Sequence, residues 1–102
     1  MISYLLHLSA TLLESTDMKP VTIYSTMMCP YCSAAKNLLS RKGVKYDEID
    51  VTFAPGKRSD MTRRAGGNRS VPQIFIGDDH VGGCDELHAL EDAGKLDPML
   101  KA

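Results

Sequence analysis

The chain has 102 residues, 43% of them hydrophobic and 25% charged, with a formal net charge of -1. That length supports one compact domain without a second hydrophobic core, and the near-neutral balance excludes a general electrostatic attraction to nucleic acid or an anionic membrane. Three cysteines, only two of them close together, do not make a secreted disulfide framework, so a reducing compartment, the cytoplasm, is expected.

Residues 1–17 contain Ile2, Tyr4, Leu5, Leu6, Leu8, Leu12 and Leu13, but no Lys or Arg precedes this run, and His7 and Ser9 interrupt it. A secretory signal needs a positive start and a transit peptide needs arginines, and the run is too short to span a bilayer. Residues 1–17 therefore read as an N-terminal extension, a short helix or loose tail, before a functional unit at 18–102.

From Lys19 onward, strand-length apolar segments alternate with amphipathic stretches. Val21-Thr22-Ile23-Tyr24 is β-branched and aromatic, the composition of a strand. Pro30 suits the first position of a helix, and Ala34, Ala35, Leu38 and Leu39 follow on one face. Arg41 and Lys42 complement the negative end of that helix, and Gly43 can close it. Val44 to Val51 reads as a second strand, its alternation slipping between Tyr46 and Ile49 as at a bulge or a sheet edge. Lys57 to Ala65 has helical composition and stops at Gly66-Gly67. Gln73-Ile74-Phe75-Ile76 is an apolar strand, Gly77-Asp78-Asp79 a tight turn, and His80-Val81 the return strand of a hairpin. Asp85 suits the cap of a helix carrying Leu87 and Leu90 and ending at Ala93-Gly94, and Leu96 to Leu100 adds a terminal turn. The β-α-β start requires a parallel strand pair with a right-handed crossover.

Cys29-Pro30-Tyr31-Cys32 falls at a strand-to-helix junction. A helix start offers unpaired N–H groups and about half a positive charge, so sulfur there gains most as an anion, and thiols in such motifs titrate at ~3.5–7.5 instead of ~8.5. Cys29 is the expected nucleophile. Cys32, three residues on in the first turn, can approach it closely enough to close a disulfide while lying deeper, which makes it the expected resolving thiol. Two incidentally close buried cysteines would not explain this placement. A zinc site from Cys29, Cys32, Cys84 and His88 lacks the second ligand pair that structural zinc draws on. His7, His80 and His88 have no spacing of a ligand set or catalytic base, and the six methionines suit packing or loops.

Cys29-Pro30-Tyr31-Cys32, Ser70-Val71-Pro72 and Gly82-Gly83-Cys84-Asp85, in this order from about Lys19 to Leu100, resemble a glutaredoxin of the bacterial dithiol type within the thioredoxin-like superfamily. The resemblance implies an α/β thioredoxin-like fold, a four-stranded mixed sheet flanked by helices. It implies a glutathione-disulfide oxidoreductase that reduces protein disulfides and glutathione mixed disulfides. Glutathione would be the co-substrate and no cofactor tightly bound; the expected partners are glutathione and disulfide-containing or glutathionylated proteins, with no nucleic acid and no membrane, on a monomer.

The resemblance also implies site roles. Val71-Pro72 takes the place of a cis-proline turn whose preceding backbone pairs with the cysteinyl part of glutathione, although cis occurs in only about 5–6% of X-Pro bonds. Asp85 and the N–H of Cys84 would hold the γ-glutamyl end, where a helix cap is the plainer reading of Asp85. Arg58 would meet the glycine carboxylate, with Lys57 and Arg69 in reserve; a solvated face is the plainer reading of the run Lys57, Arg58, Arg63, Arg64 and Arg69. It has no aromatic residue to stack on a base. Tyr31 would border the groove. Cys84 reads more simply as a packed small residue. Thr26 departs from the family's frequent lysine before the nucleophile, leaving the helix start to favour the thiolate, and Ser70 replaces the threonine of Thr-Val-Pro. Two rivals share the fold. A redoxin served by thioredoxin reductase is disfavoured by Gly82-Gly83-Cys84-Asp85 and Arg58, and an iron–sulfur cluster carrier by Pro30 and Cys32.

Overall fold

The computed structural model describes residues 18–102, and the extension expected at 1–17 lies outside the described residues. Four strands form one mixed sheet in the order β2-β1-β3-β4, with β1 Val21–Ser25, β2 Asp47–Asp50, β3 Gln73–Ile76 and β4 Asp79–Gly82. β1 and β2 are parallel; β1–β3 and β3–β4 are antiparallel. The helices are α1 Pro30–Arg41, α2 Pro55–Arg64, α3 Cys84–Asp92 and α4 Leu96–Leu100. This is the thioredoxin-like architecture expected.

Strand periodicity explains why the sheet is covered on both faces. Val21, Ile23, Ile74 and Ile76 point to one side and join Ala35, Leu38 and Leu39 of α1, Leu87 of α3, and Leu96 and Leu100 of α4. Tyr24 and Phe75 point to the other and join Met61 and Ala65 at α2. All four residues of β3 are buried as a result.

The slipped pattern at 44–51 has a physical cause other than a bulge. Val44 and Tyr46 pack into the larger cluster, while Ile49 and Val51 pack into the smaller one across the sheet. The strand proper is only Asp47–Asp50 at the sheet edge, in unbroken register with β1. A register shift occurs instead between Ile74 and Phe75 in the β3–β4 pair. α2 starts two residues before Lys57 because Pro55 is its first residue, where a missing N–H costs nothing.

Asp85 is not the cap of α3. Gly83 occupies that position, and Glu86 Oε1 accepts its backbone N–H at 2.7 Å, the carboxylate half of a capping box. Gly82 has φ +114°, and a Cβ there would lie 3.0 Å from Glu86 Oε1; the glycine lets Glu86 close against the helix start.

Candidate active site

Cys29 is the N-cap of α1, and its Sγ accepts the backbone N–H of Cys32 at 3.1 Å. Sulfur thus sits where a serine or aspartate oxygen normally satisfies a helix start. The first turn carries no acidic residue, so no carboxylate of that turn opposes negative charge on the cap sulfur. Cys29 is half-buried, whereas Cys32 is only 1% exposed. Burial, followed by its hydrogen bond with Cys29, pushes the Cys32 thiol up to about 11. All three cysteines are free thiols.

The loop before Cys29 is presented outward. Met27 N–H donates to Thr52 Oγ1 at 2.9 Å, and Met28 adopts φ 54° with its side chain 97% exposed. Thr26 lies at the position of the missing lysine. The lysine on the α1 side is Lys36, one turn beyond Cys32; it pairs with Glu48 Oε2 at 2.8 Å, which also accepts the buried Ser25 hydroxyl at 2.5 Å.

A cleft beside the cysteines is lined by Tyr31, Ser70, Val71, Pro72, Gly83, Cys84, Asp85 and Glu86. The Val71–Pro72 bond is cis. Among the described residues, no hydrogen bond engages the N–H or C=O of Val71, so both are available to an extended ligand. Asp85 is exposed in the first turn of α3, beside the unpaired amides of a helix start. Cys84 is buried, its thiol pushed up by burial and then by Asp85, with Sγ 3.5 Å from His88 Nδ1.

The structure brings Tyr31, Val71, Pro72, Cys84 and Asp85 together around this cleft. Arg58 is outside it. It lines an adjoining groove with Arg63, Gly67 and Arg69, and its guanidinium donates to the Arg69 carbonyl at 3.0 Å. In the same basic run, Arg64 is exposed yet lies 4.1 Å from the Phe75 ring centroid and donates to Tyr24 Oη at 2.8 Å. Among the described residues, no group of three His, Cys, Asp or Glu side chains is gathered as metal ligands, and no helix is long and apolar enough to cross a membrane. Sequence reasoning missed Glu86 in the cleft wall; the spacing Gly83 to Glu86, a carboxylate three residues after a cap, was its signal.

The family model Glutaredoxin matches residues 21–81. The chain belongs to the glutaredoxin family. It is therefore a glutathione-dependent thiol–disulfide oxidoreductase with a thioredoxin-like fold. Among curated glutaredoxins, it is 58% identical over 85 residues to the Glutaredoxin of Pseudomonas aeruginosa, covering 83% of this chain and 100% of the relative. It is 50% identical over 84 residues to Glutaredoxin 3 of Escherichia coli K12, covering 82% and 100%. Among solved structures, the glutaredoxin of Brucella melitensis superposes with a TM-score of 0.73 at 55% identity, covering 83% of this chain and 91% of that one. A buckwheat glutaredoxin–glutathione complex superposes with a TM-score of 0.72 at 34% identity, covering 93% and 86%.

Proposed function

We propose that Cys29 is the nucleophile and Cys32 the resolving thiol of a glutaredoxin that reduces glutathione mixed disulfides and protein disulfides, with residues 18–102 as its functional unit. The observation that carries this reading is the pairing of a cap sulfur facing a backbone N–H with a buried second thiol one turn below.

The steps follow from that asymmetry. The Cys29 thiolate attacks one sulfur of the substrate disulfide; a new S–S bond forms, the old one breaks, and the departing thiolate takes a proton from water. A glutathione thiolate then attacks the glutathionyl sulfur on Cys29, giving oxidised glutathione and returning Cys29 as thiolate. With a protein disulfide, Cys32 loses its proton and attacks Cys29 Sγ, releasing the second substrate thiol and leaving a Cys29–Cys32 disulfide for two glutathiones to reduce. No cofactor is tightly bound in this cycle.

Glutathione lies in the cleft as an extended strand. Its cysteinyl N–H and C=O pair with Val71 ahead of Pro72, Tyr31 forms one wall, and its γ-glutamyl end meets Asp85 and the amide of Cys84. A carboxylate recognises the ammonium there and helix-start amides the carboxylate. Arg58 serves the glycine carboxylate from the adjoining groove. The protein acts as a cytoplasmic monomer on disulfide-containing and glutathionylated proteins.

A glutathione-coupled reduction assay on the wild type, Cys29→Ser and Cys32→Ser tests the assignment. Cys29→Ser is expected to abolish turnover, and Cys32→Ser to keep substantial activity toward small glutathione mixed disulfides. Activity in Cys29→Ser, or no turnover of the wild type with glutathione, contradicts it.

A further inference from the structure

Gln73, the first residue of β3, is 1% exposed, and its amide is engaged at both ends. Nε2 lies 3.0 Å from the carbonyl oxygen of Ser70 and 3.3 Å from Ser70 Oγ, while Oε1 lies 2.6 Å from His80 Nε2 on β4. A carbonyl only accepts, so the NH2 end of Gln73 must face Ser70. Its oxygen is then the acceptor toward His80, and His80 Nε2 carries the proton. The imidazole is itself held, stacked on Phe75 with centroids 4.9 Å apart and planes 28° from parallel.

The consequence reaches the cleft through a single peptide unit. The Ser70 carbonyl and the Val71 N–H belong to the same peptide, which is trans, since Val71–Pro72 is the cis bond among the described residues. A planar trans unit points its C=O and N–H in opposite directions. Drawing the Ser70 oxygen toward Gln73 therefore turns the N–H of Val71, a residue of the cleft wall, away from the Gln73 amide. A carbonyl that accepts a hydrogen bond also makes the N–H of its own peptide a stronger donor. The preceding residues are tied down independently: Asn68 Oδ1 accepts the Ser70 N–H at 2.9 Å, and Arg58 holds the Arg69 carbonyl.

We propose that Gln73, anchored by His80, is a positioning residue that aims the Val71 N–H at the cysteinyl carbonyl of the glutathione moiety. The proposal rests on the cleft assignment above. It gives the reaction two further participants, neither of which touches the substrate and neither of which reacts.

The test uses the full chain with Gln73→Leu, His80→Phe and His80→Gln, assayed for turnover of a small glutathione mixed disulfide and for alkylation of Cys29 by iodoacetamide. Alkylation needs the nucleophile but not Val71, so it reports whether the cysteine end is intact. Gln73→Leu is expected to raise the KM for the mixed disulfide about five- to tenfold with kcat within about twofold and alkylation unchanged, the effect of one oriented hydrogen bond. His80→Phe keeps the stack but removes the donor, and is expected to raise KM in the same direction by less. His80→Gln restores a donor and returns KM toward wild type. A KM in Gln73→Leu and His80→Phe equal to wild type, or a fall in alkylation alongside any change in KM, overturns the proposal. If the wild type itself shows no turnover with glutathione, the cleft assignment fails instead, so the two failures are distinguishable.

Discussion

The burial of Cys32 has a kinetic consequence that can be worked through to a number. A thiol titrating at about 11 is ionised in roughly one molecule in ten thousand at pH 7, yet only the thiolate attacks a disulfide. When Cys29 is held in a mixed disulfide its own thiolate no longer raises Cys32, but burial, the larger cause, persists. Cys32 thus still ionises above the neutral range. The sign follows: a raised pKa keeps the resolving thiol protonated, and its attack accelerates as pH rises. Between pH 6 and pH 8 the intramolecular step is expected to speed up by about 100-fold, tenfold per pH unit. Reduced wild-type protein mixed rapidly with oxidised glutathione, quenched in acid and weighed by mass spectrometry, follows the glutathionylated form as it converts to the internal disulfide. The adduct is expected to persist longest at low pH. A conversion rate that levels off below pH 8 would refute the reasoning, because Cys32 would then titrate near neutrality despite its burial.

Two further outcomes are expected from the charges around α1. The carboxyl of Glu48 is held below the usual range by Lys36 first and then by the Ser25 hydroxyl, so its contribution is present above its unfolded value of ~4.3 and lost as pH falls through the folded value. With Glu48 38% exposed, solvent limits that contribution to about 1 kcal/mol or less; thermal melts from pH 6 to pH 3 are expected to show a smaller acid loss in Glu48→Gln than in wild type. Thr26→Lys adds a cation just ahead of Cys29 and is expected to raise the rate of Cys29 alkylation at pH 6 a few-fold; an unchanged rate would mean that the helix start alone sets its reactivity.

Much of this site was legible in the sequence because its signals are local. Pro30 followed by Ala34, Ala35, Leu38 and Leu39 states a helix and its buried face within one segment, and the turn at Gly77-Asp78-Asp79 fixes a hairpin without reference to the rest of the chain. Less was legible where a segment serves two surfaces. Val44 and Tyr46 go to one side of the sheet and Ile49 and Val51 to the other, so the alternation that should mark β2 breaks although the strand itself is regular. The start of α2 was available from Pro55 by the same rule that placed Pro30. What no periodicity reveals is contact between different elements: Lys36 with Glu48, Gln73 with His80, and Arg64 on Phe75 depend on how the strands and helices pair. His80 has no motif spacing toward another ligand or base, and its partner Gln73 becomes visible only when the hairpin closes.

The unequal roles of the two motif cysteines are tested most directly by trapping the intermediate. Cys32→Ser protein is exposed briefly to oxidised glutathione, alkylated, digested and mapped by mass spectrometry. One glutathione per chain is expected, on Cys29, with Cys84 unmodified and the adduct removed by added reduced glutathione. An adduct found chiefly on Cys84, or none on Cys29, would contradict those roles.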